Sequence, residues 1–212
     1  MNRTSVTVAD VRDVGPETIA LELETPDAFD ALPGQFVLLR ASPDDEEIAR
    51  HYTLSSPSVD ERFEVTVGVD PDGDLSPWLA SREPGDTVDV EGPFGEITYE
   101  GDQDVVAIAG GPGIGPAVAI AEAALEAGHT ANVIYQDADV AHENRLDSLE
   151  AAGVPVTVLD DGDEEGLHAA IDDAVDHGQI YAFGFAAFVQ TVADAIESAG
   201  GNADEALIEN FG

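Results

Sequence analysis

Residues 50 to 57, RHYTLSSP, bring a guanidinium, an aromatic ring and several hydroxyl groups close together. Arginine offers a planar, permanently charged fork that suits a diphosphate. Tyr52 could pack its ring on a flat heterocycle, and Thr53 could hydrogen-bond the edge of that heterocycle. The alternative is a plain half-buried strand, in which alternate side chains face opposite ways: Tyr52, Leu54 and Ser56 on one side, Thr53 and Ser55 on the other.

A second segment, DGDLSPWLA at residues 72 to 80, carries a helix-start signal. Ser76 is predicted as the N-cap, Pro77 follows at the first helical position, and Trp78 begins an apolar run. The free amide groups at such a helix end can bind phosphate. The alternative is a capped surface helix that Trp78 anchors to the core.

The third segment is AIAGGPGIGPAVAIAEAAL, residues 107 to 125. An apolar strand runs into a glycine-rich turn and then a helix, which is how a parallel sheet brings backbone against a dinucleotide pyrophosphate. Pro116 stands where the usual fingerprint has its third glycine. The lysine-bearing phosphate loop is excluded, because the chain contains no lysine.

The pattern of strands and helices changes near residue 100. Before it, six short alternating segments separated by turn residues predict a small antiparallel β-barrel. After it, buried apolar runs alternate with helical stretches, which predicts an α/β domain with an open parallel sheet. The predicted domains are therefore 1–100 and 101–212, and the predicted helices of the second are 116–127, 143–152, 165–177 and 187–199.

The charge balance restricts the possible partners. With 45 acidic residues against 7 arginines, the net charge is −38. Nucleic acid and anionic membrane surfaces would be repelled. Without cysteine there is no disulfide and no thiolate metal site, and the scattered histidines lack ligand spacing, so no metal is expected. The start of the chain shows no apolar signal core, and residues 105–121 are too short and too broken to span a membrane, so a cytoplasmic protein is expected.

Taken in order, these segments and two others resemble the ferredoxin–NADP reductase superfamily. The matching motifs are PGQF at 33–36, RHYTLSSP at 50–57, G-x-x-S at 73–76, GPFG at 92–95 and GGPGIGP at 110–116. The resemblance covers essentially the whole chain. It implies an FAD-binding barrel followed by a nicotinamide-nucleotide domain.

The resemblance also implies roles for individual residues. Arg50 would bind the FAD pyrophosphate, Tyr52 would lie against the isoalloxazine and ribityl, and Thr53 would lie near flavin N5. The other flavin positions are Ser56 of the same motif, the backbone of Val67 and Val69, and the pyrophosphate-binding Gly73, Leu75 and Ser76. The nicotinamide-nucleotide side would be formed by Gly111, Gly113, Ile114 and Pro116.

Two segments near the C-terminus bear on the reacting centre. FGFAAF at 183–188 replaces the family's C-G-P-x-x-M, which lies beside the nicotinamide. Phe183 stands for the cysteine and only Gly184 is retained, so the nicotinamide would enter differently, poorly or not at all. Some relatives place a terminal aromatic over the isoalloxazine, which predicts Phe211 there and Glu209 near the reacting edge. The alternative is a last strand in which Phe211 is merely buried.

The segment YQDAD at 135–139 bears on which nucleotide is used. It stands where the family often has a G-x-R sequence that meets the adenosine ribose. An acid after that strand suits a free ribose hydroxyl and repels a 2′-phosphate, which favours NADH over NADPH. Arg145 is the one nearby cation that could reverse the preference.

The resemblance implies a flavin-dependent oxidoreductase that transfers hydride from NAD(P)H to bound FAD. Electrons would then pass to a separate acceptor protein such as ferredoxin. Two alternatives stay open. One is an NAD(P)H:flavin reductase whose flavin diffuses in and out, and the other is a non-catalytic, flavin-binding electron-relay subunit.

The acidic composition without lysine also predicts a protein from a halophile. At about 1 M salt the screening length falls to roughly 3 Å, which removes most of the self-repulsion. We therefore expect circular dichroism to show more folded protein in about 2 M KCl than in dilute buffer. Equal folding in the two solutions would contradict this expectation.

Overall fold

Two separate sheets organise the chain in the computed structural model, which describes residues 3–42 and 46–212. The first sheet contains β1 (Thr4–Gly15), β2 (Thr18–Glu24), β3 (Phe36–Ala41), β4 (Ile48–Thr53), β5 (Arg62–Gly68) and β6 (Thr87–Phe94). The second contains β7 (Val105–Gly110), β8 (Ala131–Gln136), β9 (Val156–Leu159), β10 (Gln179–Gly184) and β11 (Leu207–Asn210). The helices are α1 (Ser76–Ala80), α2 (Ile114–Glu126), α3 (Glu143–Ala151), α4 (Glu164–Ala174) and α5 (Ala186–Ser198).

The first sheet is antiparallel and barrel-like. Its strand order is β4-β3-β6-β1-β2-β5, and a bridge between Leu54 and Val65 joins its two edges. The alternating apolar positions of the strands fill one continuous core, in which Leu21, Val37 and Val90 are fully buried. The period-two pattern of apolar residues thus predicted the antiparallel barrel-like sheet correctly.

The second sheet is parallel, with the order β11-β10-β7-β8-β9. Its strands are buried on both faces: in β7, Val105 and Ala107 face the core under α2 and α3, while Val106 and Ile108 face α4 and α5. Layers of this kind explain why these strands read as continuous apolar runs. The predicted two-domain fold class is confirmed.

The helix starts differ from the sequence expectation mainly at α1. That helix has five residues and begins with Ser76, so Ser76 is not its N-cap; Leu75 precedes it, and no side chain caps it. The other four helices begin within two residues of their predicted positions. Among the described residues, none of the helices has the length and apolar character needed to cross a membrane.

The connection between the sheets runs from Phe94 to Val105. Tyr99 in this connection is buried in the core of the second sheet, while its amide donates to the carbonyl of Pro33 in the first half of the chain. The predicted boundary near residue 100 falls within this connection and stays a prediction.

The two halves pack closely where α2 begins. A Cβ atom at Gly115 would lie 2.6 Å from Thr66 Cβ and 2.9 Å from Ser55 Cβ, both on the barrel side. Thr66 is held in place, because its hydroxyl is 2.8 Å from Nε2 of the buried His142. Any side chain at Gly115 would therefore push the halves apart.

A polar network crosses the same interface. Arg145 on α3 donates to both carboxylate oxygens of Glu122 on α2, at 2.8 and 2.6 Å. The same guanidinium reaches the barrel, where it donates to the carbonyl of Ser55 at 2.8 Å and to Glu64 at 3.2 Å. Arg12 binds the other oxygen of Glu64 at 2.6 Å. Burial raises the pKa of Glu64, and the two guanidinium groups oppose that rise.

The close approach at Gly115 gives a stability prediction. We expect Gly115→Ala to lower the free energy of unfolding by about 1–3 kcal/mol, the usual cost of overpacking. The matched control is Gly68→Ala, where the nearest atom would be Pro112 Cγ at 3.9 Å, and its change should stay within about 0.5 kcal/mol. Thermal unfolding of the two variants measures both values, and equal melting temperatures would contradict the packing account.

Candidate functional site

A cleft of about 350 Å³ lies where the two sheets meet. Residues of the first half and residues of the last strand line it together. From the first half come Phe36, His51 and Thr53, and from the C-terminal segment come Glu209 and Phe211. The structure thus brings together Thr53, Glu209 and Phe211, the three residues predicted at the reacting centre.

A single hydrogen bond joins Thr53 and Glu209 across this cleft. The Thr53 hydroxyl donates to Glu209 Oε2 at 3.1 Å, between residues that are 156 positions apart in the chain. Burial raises the pKa of Glu209 to about 7, and the bond from Thr53 opposes the rise. A carboxyl group with a pKa near neutrality can hold or release a proton under ordinary conditions.

Phe211 follows β11 directly, and its predicted place over an isoalloxazine stays a prediction. It is half-buried and lines the cleft, and its ring meets that of Phe185 edge to face, with centroids 6.0 Å apart. Phe185 is 54% exposed, more than any other large hydrophobic residue in the described chain. Sequence reasoning gave Phe185 no role, although it stands where the family motif has proline.

Arg50 lies in a second, polar groove of about 520 Å³. Six of the seven arginines have a carboxylate oxygen within 4 Å. Among residues 3–42 and 46–212, Arg50 has no such partner, and its one side-chain bond goes to the carbonyl of Ala49 at 2.9 Å. Its neighbour Tyr52 packs on the barrel core, and burial raises the pKa of Tyr52 to about 12. This absence of a carboxylate partner within the described residues agrees with the expectation that Arg50 meets an anionic ligand, and that role stays a prediction.

The residues predicted at the pyrophosphate are arranged unevenly around that groove. Gly73 lines it, next to Arg50. Leu75 is 3% exposed and belongs to the barrel core. The Ser76 hydroxyl accepts a bond from the amide of Asp70 at 3.1 Å and thereby closes a local turn. Because α1 is so short and Ser76 does not cap it, the predicted phosphate site rests on Arg50 and Gly73 rather than on a helix end.

The other predicted flavin positions lie along the strands. The Ser56 hydroxyl accepts from the amide of Glu64 at 3.1 Å. Val67 is fully buried in the barrel core and pairs with Ile19 on β2, and Val69 donates its amide to the carbonyl of Glu17. Since β5 is an edge strand of the first sheet, its outer edge can meet a ligand through backbone groups. Their roles at a flavin stay predictions.

The glycine-rich turn lies at the carboxyl end of β7, as predicted. Gly111 has φ +56°, a conformation that favours glycine. Gly113 packs so tightly on β10 that a Cβ atom there would lie 2.7 Å from the carbonyl carbon of Phe183. Ile114 and Pro116 are buried in the first turn of α2. Within this turn, Gly111 and Pro112 are the residues that stay partly exposed, and the predicted nucleotide contacts of the turn stay predictions.

The FGFAAF segment is packed more tightly than the sequence suggests. Phe183 is completely buried and belongs to the core beneath α2, and its predicted contact with a nicotinamide stays a prediction. Phe188 packs directly on two glycines: a Cβ atom on Gly110 or on Gly184 would lie 2.6 Å from its ring. This ring covers the end of β7 and β10 on one side.

Asp137 lies beside the glycine-rich turn. Its Oδ2 accepts from the Tyr135 hydroxyl at 3.0 Å and would be 4.0 Å from a Cβ atom on Gly111. Arg145, the cation that could have favoured a 2′-phosphate, is instead bound to Glu122 and Glu64 in the interface described above. These bonds leave Arg145 less available to a 2′-phosphate, and its effect on the nucleotide preference stays a prediction.

Comparisons with known proteins give sequence matches to the first half of the chain and fold matches to both halves. Residues 5–99 match the family described as oxidoreductase FAD-binding domain. This match covers the strands of the first sheet and none of the second. The chain is 36% identical over 105 residues to a flavohemoprotein of Burkholderia sp. (strain TH2), a match that covers 49% of this chain and 27% of that protein. It is 39% identical over 104 residues to the reductase subunit of glycine betaine monooxygenase from Chromohalobacter salexigens, covering 47% of this chain and 28% of that protein.

Solved structures extend the likeness over both sheets. The FAD/NAD-binding domain of a nitric oxide dioxygenase from Vibrio cholerae superposes with a TM-score of 0.86 at 22% identity, covering 98% of each chain. A cytochrome P450 reductase of Amycolatopsis gives 0.82 at 22% identity, covering 99% of this chain and 70% of that one. At this identity the likeness establishes the fold. The matched segments span less than a third of the two curated relatives' own lengths.

The first sheet also contributes a residue to the cleft that sequence reasoning missed. His51 occupies the variable place in the RHYTLSSP motif, yet it lines the cleft with its ring edge-on to Phe36 at 5.1 Å. The strand alternation contained the signal, because His51 and Thr53 are two residues apart and so share a face of β4.

The raised pKa of Glu209 gives a prediction about pH. Folding raises this pKa from 4.5 to about 7, so the folded state binds the proton more tightly and its contribution to stability is lost as pH rises from about 4.5 to about 7. We compare the free energy of unfolding of Glu209→Gln with that of the parent chain at each pH. The variant minus parent difference should be larger at about pH 8 than at about pH 5, by about 1 kcal/mol after solvent screening.

Urea unfolding at the two pH values measures this difference. Glu150→Gln, which changes an exposed carboxylate on α3, is the matched control and should show the same difference from the parent chain at both pH values. A Glu209→Gln variant that behaves like this control would contradict the burial account.

Proposed function

We propose that this chain is an FAD-dependent oxidoreductase that takes hydride from NADH and passes electrons to a separate acceptor. The observation that carries the proposal is Arg50, the arginine without a carboxylate partner among the described residues, next to Gly73 in a polar groove of the FAD-binding domain. A surface with net charge −38 would expel a diphosphate unless a free guanidinium were kept for it.

The residues present fit an FAD molecule at this place. Arg50 would hold the diphosphate, and Tyr52 next to it on β4 would contact the ring system. When bound, FAD supplies a ring that accepts a hydride and returns its electrons singly or as a pair. Thr53 would position the reacting edge through its hydroxyl, which already lies 3.1 Å from Glu209.

Glu209 and Phe211 would complete the centre from the second sheet. With its pKa raised to about 7, Glu209 can exchange a proton with a group in the cleft while Thr53 fixes the direction of its carboxylate. Phe211 excludes water from one side of the cleft. Holding the two reactants in contact and correctly oriented within this cleft lowers the barrier to hydride transfer.

The acceptor belongs to the same proposal. The relative from Chromohalobacter salexigens is the reductase subunit of a monooxygenase, which supports a separate oxygenase or ferredoxin-type acceptor protein for this chain. An acidic ferredoxin would meet a surface of like charge, so that pairing requires strong screening by salt. Work in concentrated salt is therefore part of the proposal.

A second candidate is a flavin-binding electron-relay subunit without nucleotide chemistry. The packing of FGFAAF favours it, because Phe183 is buried and the Phe188 ring covers Gly110 and Gly184. In that case electrons would enter and leave through protein partners alone.

Anaerobic mixing with NADH separates these functions. We expect the purified protein to be yellow with stoichiometric FAD, and its flavin absorbance to bleach when NADH is added without oxygen. Bound flavin that does not bleach supports the relay subunit instead. Colourless protein that reduces added flavin supports the flavin reductase.

The position of Asp137 predicts the choice of nucleotide. NADH should give a lower KM than NADPH, because this carboxylate can accept a bond from a ribose hydroxyl and repels a 2′-phosphate. Asp137→Asn should raise the KM for NADH about tenfold, the size expected for one charged hydrogen bond, and should reduce the preference over NADPH. Asp139→Asn, an exposed neighbour whose backbone carbonyl alone meets Tyr135, is the control and should change neither value. A lower KM for NADPH than for NADH in the parent chain would overturn the assignment.

A further inference from the structure

The groove that contains Arg50 also contains acids. Glu46, Glu47 and Asp74 line it together with Arg50 and Gly73. Glu47 is neutralised by Arg3 at 2.6 Å and Arg40 at 3.1 Å, and its pKa is lowered by the bond from Arg3.

Glu46 and Asp74 differ from Glu47. Among the described residues, neither has a cation within 4 Å, and both are exposed at the groove. Counted over the described residues, the groove therefore offers an anionic ligand one guanidinium without a carboxylate partner and two carboxylates without a cation. This balance of described charges is opposite to that of an ordinary phosphate site, in which cations outnumber acids.

The range of each interaction decides how salt acts on a bound anion. Arg50 would touch the diphosphate, whereas Glu46 and Asp74 would repel it without contact, as would the rest of a chain with net charge −38. Raising the salt from about 0.15 M to about 1 M shortens the screening length from roughly 8 Å to roughly 3 Å. Repulsion between separated charges is then lost, while the attraction at contact distance is weakened less.

We propose that Glu46 and Asp74 select among flavins by the charge of the tail, so that FAD binds more tightly as salt rises while uncharged riboflavin does not. The inference rests on the proposed function, because it assumes that the Arg50 groove takes the FAD diphosphate. The direction in which FAD affinity changes with salt distinguishes this groove from a cation-rich site, because binding of a phosphate by a cation-rich site weakens as salt rises.

The test titrates the full chain with FAD and with riboflavin across the range of KCl in which circular dichroism shows it folded. Between the lowest and highest salt of that range, the Kd for FAD should fall at least about tenfold as screening removes the repulsion. The Kd for riboflavin should change less than about twofold, because riboflavin carries no charge. An FAD affinity that is constant or decreases with salt overturns the inference.

Two pairs of variants assign the effect to the groove. The double variant Glu46→Gln with Asp74→Asn should bind FAD with a lower Kd at low salt than the parent chain does. Its Kd for FAD should also change less with salt. The matched pair Glu165→Gln with Asp172→Asn removes the same charge from exposed positions on α4, on the outer face of the second sheet, and should keep the parent behaviour. If the α4 pair flattens the salt dependence equally, net charge alone is responsible and the assignment to the groove is overturned.

Failure of the proposed function gives a different result from failure of this inference. If neither FAD nor riboflavin binds at any salt, the chain is not a flavoprotein and both proposals fall. If both bind and the affinity for FAD does not rise with salt, the flavoenzyme stands and the charge selection is wrong. Arg50→Gln provides a check, because it should weaken FAD at every salt and leave riboflavin unchanged.

Discussion

The guanidinium group of Arg145 bonds to both halves of this chain and links them. Arg145 binds Glu122 within the second sheet's layer of helices and reaches Glu64 and the Ser55 carbonyl on the barrel. Removing one member of such a half-buried group would leave an uncompensated charge, which costs more than the pairing contributes. Thr53 is two residues from Ser55, so the distance between Thr53 and Glu209 depends on this junction.

The use of the seven arginines shows how a very acidic chain distributes scarce cations. Arg12 and Arg145 meet at Glu64 between the halves, and other arginines pair with acids on the barrel surface. Arg50 alone is left without a carboxylate in the part of the chain described here. Structural pairing and ligand binding therefore draw on the same small set of side chains, and the exception marks the candidate site.

Much of the fold could be predicted from local patterns. Period-two alternation and apolar runs predicted the strands. The runs ANVIYQ and QIYAFG have the same bounds as β8 and β10. The pairing of Thr53 with Glu209 could be anticipated from family resemblance alone, because it joins residues 156 positions apart. The burial of Phe183 and the commitment of Arg145 could not be predicted. Both depend on which side chains tertiary packing places opposite them, and a chain sequence does not contain that information locally.

Glu209 lies on β11, a strand of four residues at the edge of its sheet, paired with β10 alone. Short edge strands open more readily than central ones, since few hydrogen bonds must break. Detachment of β11 would carry away the carboxylate and the aromatic ring after it, leaving Thr53 exposed to water. The amide protons of β11 should then exchange faster than those of β7, so that the opening of β11 limits how long Thr53 and Glu209 stay in contact.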